Sequence, residues 1–220
     1  MYAESETTVA GATDRRHSRR MSTTVRIEVV GAYYHVNASA LDDMPLFRDE
    51  VDRATFLTLL DKERLRSCWT LLEYTLMTTH YHLLLKLNEL TLSSGFQHFH
   101  SAYARRYNRR HGRRGVVWQK RFHDELIDSD SHLLEVVRYI ALNAPRANMC
   151  KEPEAWCWCS YGSSVGRCAG DPLVDDSELL GLFGGSPREA RRRLQAFVGE
   201  RDPRERRRQT RVRRGSDAEK

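Results

Sequence analysis

The sequence predicts an α+β fold: an antiparallel sheet covered by helices, followed by a small C-terminal helical annex. Three observations predict it. Short β-branched and aromatic runs recur at strand length, amphipathic stretches at helix spacing separate them, and turn or capping residues mark the junctions.

Residues 25–30 and 33–38 are strand-like and are divided by Gly31. Residues 49–64 read as a helix, because Phe56, Leu57, Leu59 and Leu60 share a face and Pro45 lies ahead. Residues 69–77 and 81–87 are two strand-like runs meeting at Thr78-Thr79, which makes them a hairpin. Residues 92–111 form a second helix, ended by Gly112, and 121–127 a further strand. Ser129 or Asp130 caps a third helix that runs to about Leu142 and closes before Pro145. Strands, helix, hairpin, helix, strand, helix is the order of a ferredoxin-like sandwich. Residues 179–183 and 189–198 are short amphipathic helices, the second entered through Ser186-Pro187 as cap and first turn.

The chain has 220 residues, enough for one sizeable core with extensions to spare. Residues 1–22 are polar and Arg-rich without periodicity, so a disordered basic arm is expected there. Residues 23–168 are expected to form the main domain, 169–201 the annex and 202–220 a disordered basic tail. No stretch is apolar enough for a membrane span, and Arg15, Arg16, Arg19 and Arg20 are followed by no apolar segment of a secretory signal. A cytoplasmic protein is expected.

The net charge is +6, and of 36 basic residues only Lys62, Lys86, Lys120, Lys151 and Lys220 are lysines. Arginine grips phosphate with two parallel donors, which an ammonium cannot do. Composition by itself fits a nucleic-acid partner and a merely solvated surface equally well. Cys68, Cys150, Cys157, Cys159 and Cys168 are odd in number and contain no CxxC pair, so they read as reduced, structural thiols rather than a zinc site.

Three clusters carry chemistry. In the run Thr79 to Leu85, THYHLLL, strand alternation points His80 and His82 to one face and Tyr81, Leu83 and Leu85 to the other. Two imidazoles side by side can bite a divalent metal. Spacing alone fits two solvated histidines on a half-wet strand at least as well. His98 and His100 also flank an aromatic residue, but they lie on the second helix, where i and i+2 diverge by about 200° and cannot share an ion.

On the third helix Tyr139 and Asn143 are four apart and stack on one face, beside an apolar stripe of Leu133, Val137 and Ile140. An amide oxygen suits a hard cation, and a phenol at an interface edge can act as a nucleophile, although such a tyrosine often only packs. The third cluster is residues 103–122, YARRYNRRHGRRGVVWQKRF. Its pairs Arg105 and Arg106, Arg109 and Arg110, and Arg113 and Arg114 are interleaved with Tyr107, Trp118 and Phe122, and Lys120 and Arg121 follow. Arginines for phosphates and aromatics for stacking describe a surface for single-stranded or hairpin DNA, against the plainer reading of a solvated helix end.

Together these motifs resemble the single-tyrosine HUH transposases, within them the REP-associated tyrosine transposase branch. The resemblance spans about Gly31 to Gly166. It comprises GAYYHV, the FRDEVDRATFLTLL helix, M-x-x-H-x-H-LLL, the basic run, RYIALNAPRA and W-x-x-SYGSSVG. It implies an HUH endonuclease fold with Tyr139 as nucleophile, and His80, His82 and Asn143 as ligands of Mg²⁺ or Mn²⁺. Single-stranded or hairpin DNA from repeat palindromes would be cut through a 5′-phosphotyrosine and rejoined by a protein working at the nucleoid, as monomer or homodimer. Arg105 to Arg121 and Arg146 would hold the DNA. The competing reading is a relative that binds DNA hairpins without cutting them. A water-activating metal phosphoesterase would cleave without any tyrosine adduct.

Overall fold

The computed structural model describes residues 27–200. The arm expected at 1–22 and the tail expected at 202–220 lie outside them.

The sheet is four-stranded, with β1 (Tyr33–Ser39), β2 (Trp69–Leu76), β3 (His80–Leu87) and β4 (His123–Ile127) in the order β2-β3-β1-β4. Every neighbouring pair is antiparallel. Helix α1 (Glu50–Arg66) connects β1 to β2, and α2 (Leu92–Arg110) connects β3 to β4. This is the ferredoxin-like connectivity the element order predicted. Helix α3 (Asp130–Ala141) follows β4, then the single turns α4 (Asn143–Arg146) and α5 (Tyr161–Ser164), then α6 (Asp176–Gly181) and α7 (Pro187–Gly199).

Alternation along the strands feeds two cores. Tyr34, Val36, Tyr81, Leu83 and Leu85 face α1 and α2, meeting Phe56, Leu60, Phe96, Phe99 and Tyr103. Close approach is specific here: a Cβ on Gly95 would lie 2.4 Å from the Trp69 ring, so only glycine lets α2 seat on that indole. The opposite face packs Leu72 and Leu84 under Leu133, Val137 and Ile140 of α3, together with Leu179, Leu194 and Val198 of α6 and α7. The helical annex thus completes the second face of the sheet.

The caps explain the helix starts. Asp49 accepts from Asp52 N at the head of α1, Ser129 from His132 N at α3, and Ser186 with Glu189 forms a full capping box ahead of Pro187 at α7. The edge strand β2 is covered rather than left open: Leu76 N donates to Trp158 O, Ser160 N to Tyr74 O, and the Trp156 indole to Leu76 O.

Two expectations are corrected. Residues 27–30 are not a strand; Ile27, Val29 and Val30 are exposed and the segment is tied to the Tyr34 hydroxyl instead. The third helix closes before Pro145 as expected, ending at Ala141 with Leu142 as its C-cap, but Asn143 is not on it with Tyr139: it opens the separate turn α4, which also holds Pro145.

Candidate active site

The site lies on the α3 face of the sheet. His80 and His82 share that face, as alternation requires, and β1 pairing places Ser39 opposite His80 and Asn37 opposite His82. The two imidazoles stand 5.2 Å apart between ring centroids, with planes at 89°. His82 is 6% exposed, and its Nε2 is buried with no hydrogen-bond partner. His80 Nδ1 lies 3.2 Å from Thr79 Oγ1, and the His80 ring is hydrogen-bonded to the side chain of Asn143.

Tyr139 is 42% exposed at the rim of the α3 interface. Its ring meets His82 edge-on at 5.1 Å and His35 at 5.8 Å. The sheet and the helix therefore bring together all four residues singled out in the sequence.

Two more residues belong here that motif reading passed over. His35, inside the GAYYHV run, is 7% exposed and its Nε2 lies 3.0 Å from His82 Nδ1, the rings stacked at 5.2 Å. Asn37 stands cross-strand from both His82 and His123. The signal was available in principle: Tyr33, His35 and Asn37 alternate against the core residues Tyr34, Val36 and Ala38. It pointed at the site only once β1 was known to lie beside β3.

Burial governs the electrostatics. Desolvation pushes His82 well below the ordinary imidazole range, and the neighbouring His35 and His80 push it further. Burial also lowers His80, against the opposing Asn143 hydrogen bond, and lowers His35, against the opposing Glu125. The imidazoles are therefore neutral at pH 7 and offer lone pairs.

A hard divalent cation fits this donor set. A buried imidazole nitrogen without a partner is costly unless a ligand satisfies it. Beside it are a second neutral imidazole, an amide in contact with that imidazole, and a half-exposed side open to substrate. Among the described residues no three His, Cys, Asp or Glu converge on a metal, so the set depends on Asn143 and on substrate oxygens.

The basic run is partly spent on structure. Arg110 is bound by Asp49 and Asp52, at 2.6 Å and 2.5 Å, and so ties the end of α2 to the start of α1. Tyr107 and Phe122 are core residues. The Trp118 ring is stacked on His100 at 3.9 Å, and its indole donates to His100 O, so it does not present a free stacking face. Arg105, Arg106, Arg109, Arg114, Lys120, Arg121 and Arg146 are exposed, while Arg113 is half-buried beside Tyr107. Gln119 N donates to Ser39 O, and Ser39 pairs with His80, so Lys120 and Arg121 leave the sheet at the His80 end of the site. His98 and His100 diverge as helix geometry requires: one meets Glu63, the other Tyr81. The five cysteines are free thiols.

A four-stranded antiparallel α+β sheet carrying a histidine pair under a tyrosine helix defines a class of DNA-processing fold. The family profile of IS200-like transposases matches residues 28–143, more than half of the chain and including His35, His80, His82, Tyr139 and Asn143, and the protein belongs to that family. Among solved structures, a REP-associated tyrosine transposase bound to a REP hairpin is similar at 18% identity and a TM-score of 0.57, over 71% of this chain and 96% of that one, which is a likeness of fold. A candidate transposase from Deinococcus radiodurans R1 is 19% identical over 52% of this chain and 92% of its own, with a TM-score of 0.39. The tRNA(His) guanylyltransferase of Saccharomyces cerevisiae is 11% identical over 81% and 83%, with a TM-score of 0.43. No curated protein matches the chain.

Proposed function

We propose that the protein nicks and rejoins single-stranded or hairpin DNA, with Tyr139 as the nucleophile, in the manner of the REP-associated branch. The observation that carries this reading is the half-exposed Tyr139 ring held edge-on against the buried His82, whose neighbour His80 is hydrogen-bonded to Asn143.

In this reading the Tyr139 oxygen attacks a backbone phosphorus. The bond from phosphorus to the 3′ oxygen breaks, the phenolic proton is given up, and the departing 3′ oxygen leaves protonated as a 3′-OH. A 5′-phosphotyrosine remains. An incoming 3′-OH reverses the step, restoring the phenol and joining strands without an external energy source. His80, His82 and Asn143 would hold Mg²⁺ or Mn²⁺, which when bound supplies positive charge beside the scissile phosphate. His82 and His35 pack edge-on against the Tyr139 ring, which is otherwise half-exposed to solvent. Arg105, Arg106, Arg109, Arg114, Lys120, Arg121 and Arg146 would track DNA phosphates, with Arg113 and Trp118 supporting that surface from beneath. No helix of the described residues is long and apolar enough to cross a membrane. The DNA substrate would place the protein at the nucleoid, as monomer or homodimer.

The test is a denaturing gel. Labelled single-stranded hairpin DNA incubated with the protein and Mn²⁺ should yield a covalent protein–DNA band, absent in Tyr139→Phe although that variant still binds the hairpin. Hairpin binding without any adduct would support the non-cleaving relative instead. Cleavage that survives in Tyr139→Phe would mean that water is the nucleophile.

A further inference from the structure

His82 has two ring nitrogens, and only one of them can face a cation. Its Nδ1 is 3.0 Å from His35 Nε2, while its own Nε2 is buried and unpartnered. Between two neutral imidazoles one ring must donate and the other accept, and nothing in the pair itself fixes which.

The direction is set one residue further out. His35 Nδ1 faces Glu125 Oε2 at 3.7 Å, across the β1–β4 pair where His35 and Glu125 are direct partners. A carboxylate only accepts. At 3.7 Å the contact is electrostatic rather than a hydrogen bond, and the carboxylate's charge favours the His35 tautomer with its proton on Nδ1 and a bare Nε2 toward His82. In that tautomer pair His82 donates from Nδ1, which leaves the lone pair of its Nε2 free. Glu125 is itself held: its Oε1 is 3.4 Å from His132 Nε2, and His132 Nδ1 is 3.2 Å from Asp128 Oδ1.

The ladder follows the stripe of α3 that bears the site. His132 and Tyr139 lie seven apart on α3, Asn143 opens α4 just beyond it, and they overlie Glu125, the His35–His82 pair and His80 in turn.

We infer that Glu125 and His35 are positioning residues that lock His82 in the tautomer protonated on Nδ1, so that Nε2 is the metal-binding nitrogen. This rests on the metal reading given under the proposed function. Free histidine favours the opposite tautomer, with the proton on Nε2 and no lone pair there to give. Without the carboxylate the chain can run in reverse, and a fraction of His82 is then blind to the cation. Partners of this kind around a ligating histidine typically alter metal affinity by about 10- to 100-fold.

The experiment has two readouts on the same proteins. Long-range ¹H–¹⁵N correlation spectra of ¹⁵N-histidine-labelled protein without metal should show His82 protonated on Nδ1. In Glu125→Ala, a change at a half-exposed side chain, the spectrum should show protonation moving to Nε2. Mn²⁺ titration followed by EPR should give a dissociation constant raised about 10- to 100-fold in Glu125→Ala and in His35→Phe, with thermal melting as the control for folding. An unchanged tautomer with unchanged Mn²⁺ affinity in Glu125→Ala, while His82→Ala loses the metal, would overturn the inference and leave the metal site standing. Wild-type protein that binds no Mn²⁺ would overturn the metal reading and this inference with it.

Discussion

Tyr139 meets His82 ring edge to ring face, centroids 5.1 Å apart and planes at 87°. Edge-on aromatic contact gives roughly 0.5–1.5 kcal/mol without a hydrogen bond to fix the hydroxyl. The ring is steadied by packing rather than by its hydroxyl, as the nucleophilic role proposed for it requires.

Asn143 belongs to the same arrangement through His80. Replacing it by leucine keeps the volume and removes the amide. Asn143→Leu should lower the rate of covalent adduct formation at least tenfold at fixed Mn²⁺, and excess Mn²⁺ should restore part of it. A rate equal to the wild type in a quenched time course would remove Asn143 from the ligand set.

Glu73 sits on the same sheet face, fully buried, with neither carboxylate oxygen partnered. Burial raises its pKa well above the usual carboxyl value. A raised carboxyl pKa contributes stability fully present below the unfolded value, near 4.3, and lost as pH rises through the folded one. Glu73→Gln removes the ionisable proton at nearly constant shape. Its melting temperature should exceed the wild type's at alkaline pH and approach it at pH 4–5; equal melting curves across that range would show that Glu73 finds a partner.

His100 is the opposite case. Buried between Trp118 and Tyr81, it is pushed down to about 3 by desolvation. A depressed imidazole pKa contributes stability present above the unfolded value, about 6.5, and lost as pH falls towards 3, at about 1.4 kcal/mol per pH unit. Chemical denaturation at pH 7, 6, 5 and 4 should show that loss, and His100→Gln should reduce its slope by about one proton. An unaltered slope would point to other groups.

Basic residues in one run should behave differently. Arg110 is engaged by Asp49 and Asp52, so Arg110→Ala should lower the melting temperature and leave the salt dependence of DNA binding unchanged. Lys120→Ala with Arg121→Ala should spare stability and reduce the slope of log affinity against log salt by about 0.7 per charge removed, as for single strands. Fluorescence anisotropy from 50 to 300 mM salt separates the two; a slope change in Arg110→Ala alone would reverse the assignment.

Much of the site was written locally. The HxH pair lies two residues apart on a pleated strand, a spacing that dictates a shared face whatever surrounds it, whereas Tyr139 and Asn143 straddle the break between α3 and α4 at Leu142. The same local rule separated His98 from His100. What failed locally was the fate of the aromatics in the basic run. Tyr107, Trp118 and Phe122 look like stacking platforms when read in line, yet α2 turns Tyr107 into the core, Phe122 enters it just ahead of β4, and Trp118 lies on His100. A helix period says which residues share a face, not whether that face meets solvent or the sheet.

The sequence by itself determined the order of elements, the helix starts at Ser129 or Asp130 and at Ser186, and which side chains of each strand travel together, because backbone geometry and short-range hydrogen bonds reach no further than a turn. Only the tertiary structure decided that β1 runs between β3 and β4. That adjacency carries His35 to His82 and Glu125 to His35, residues 47 and 90 positions apart, through strand pairing that no local pattern encodes.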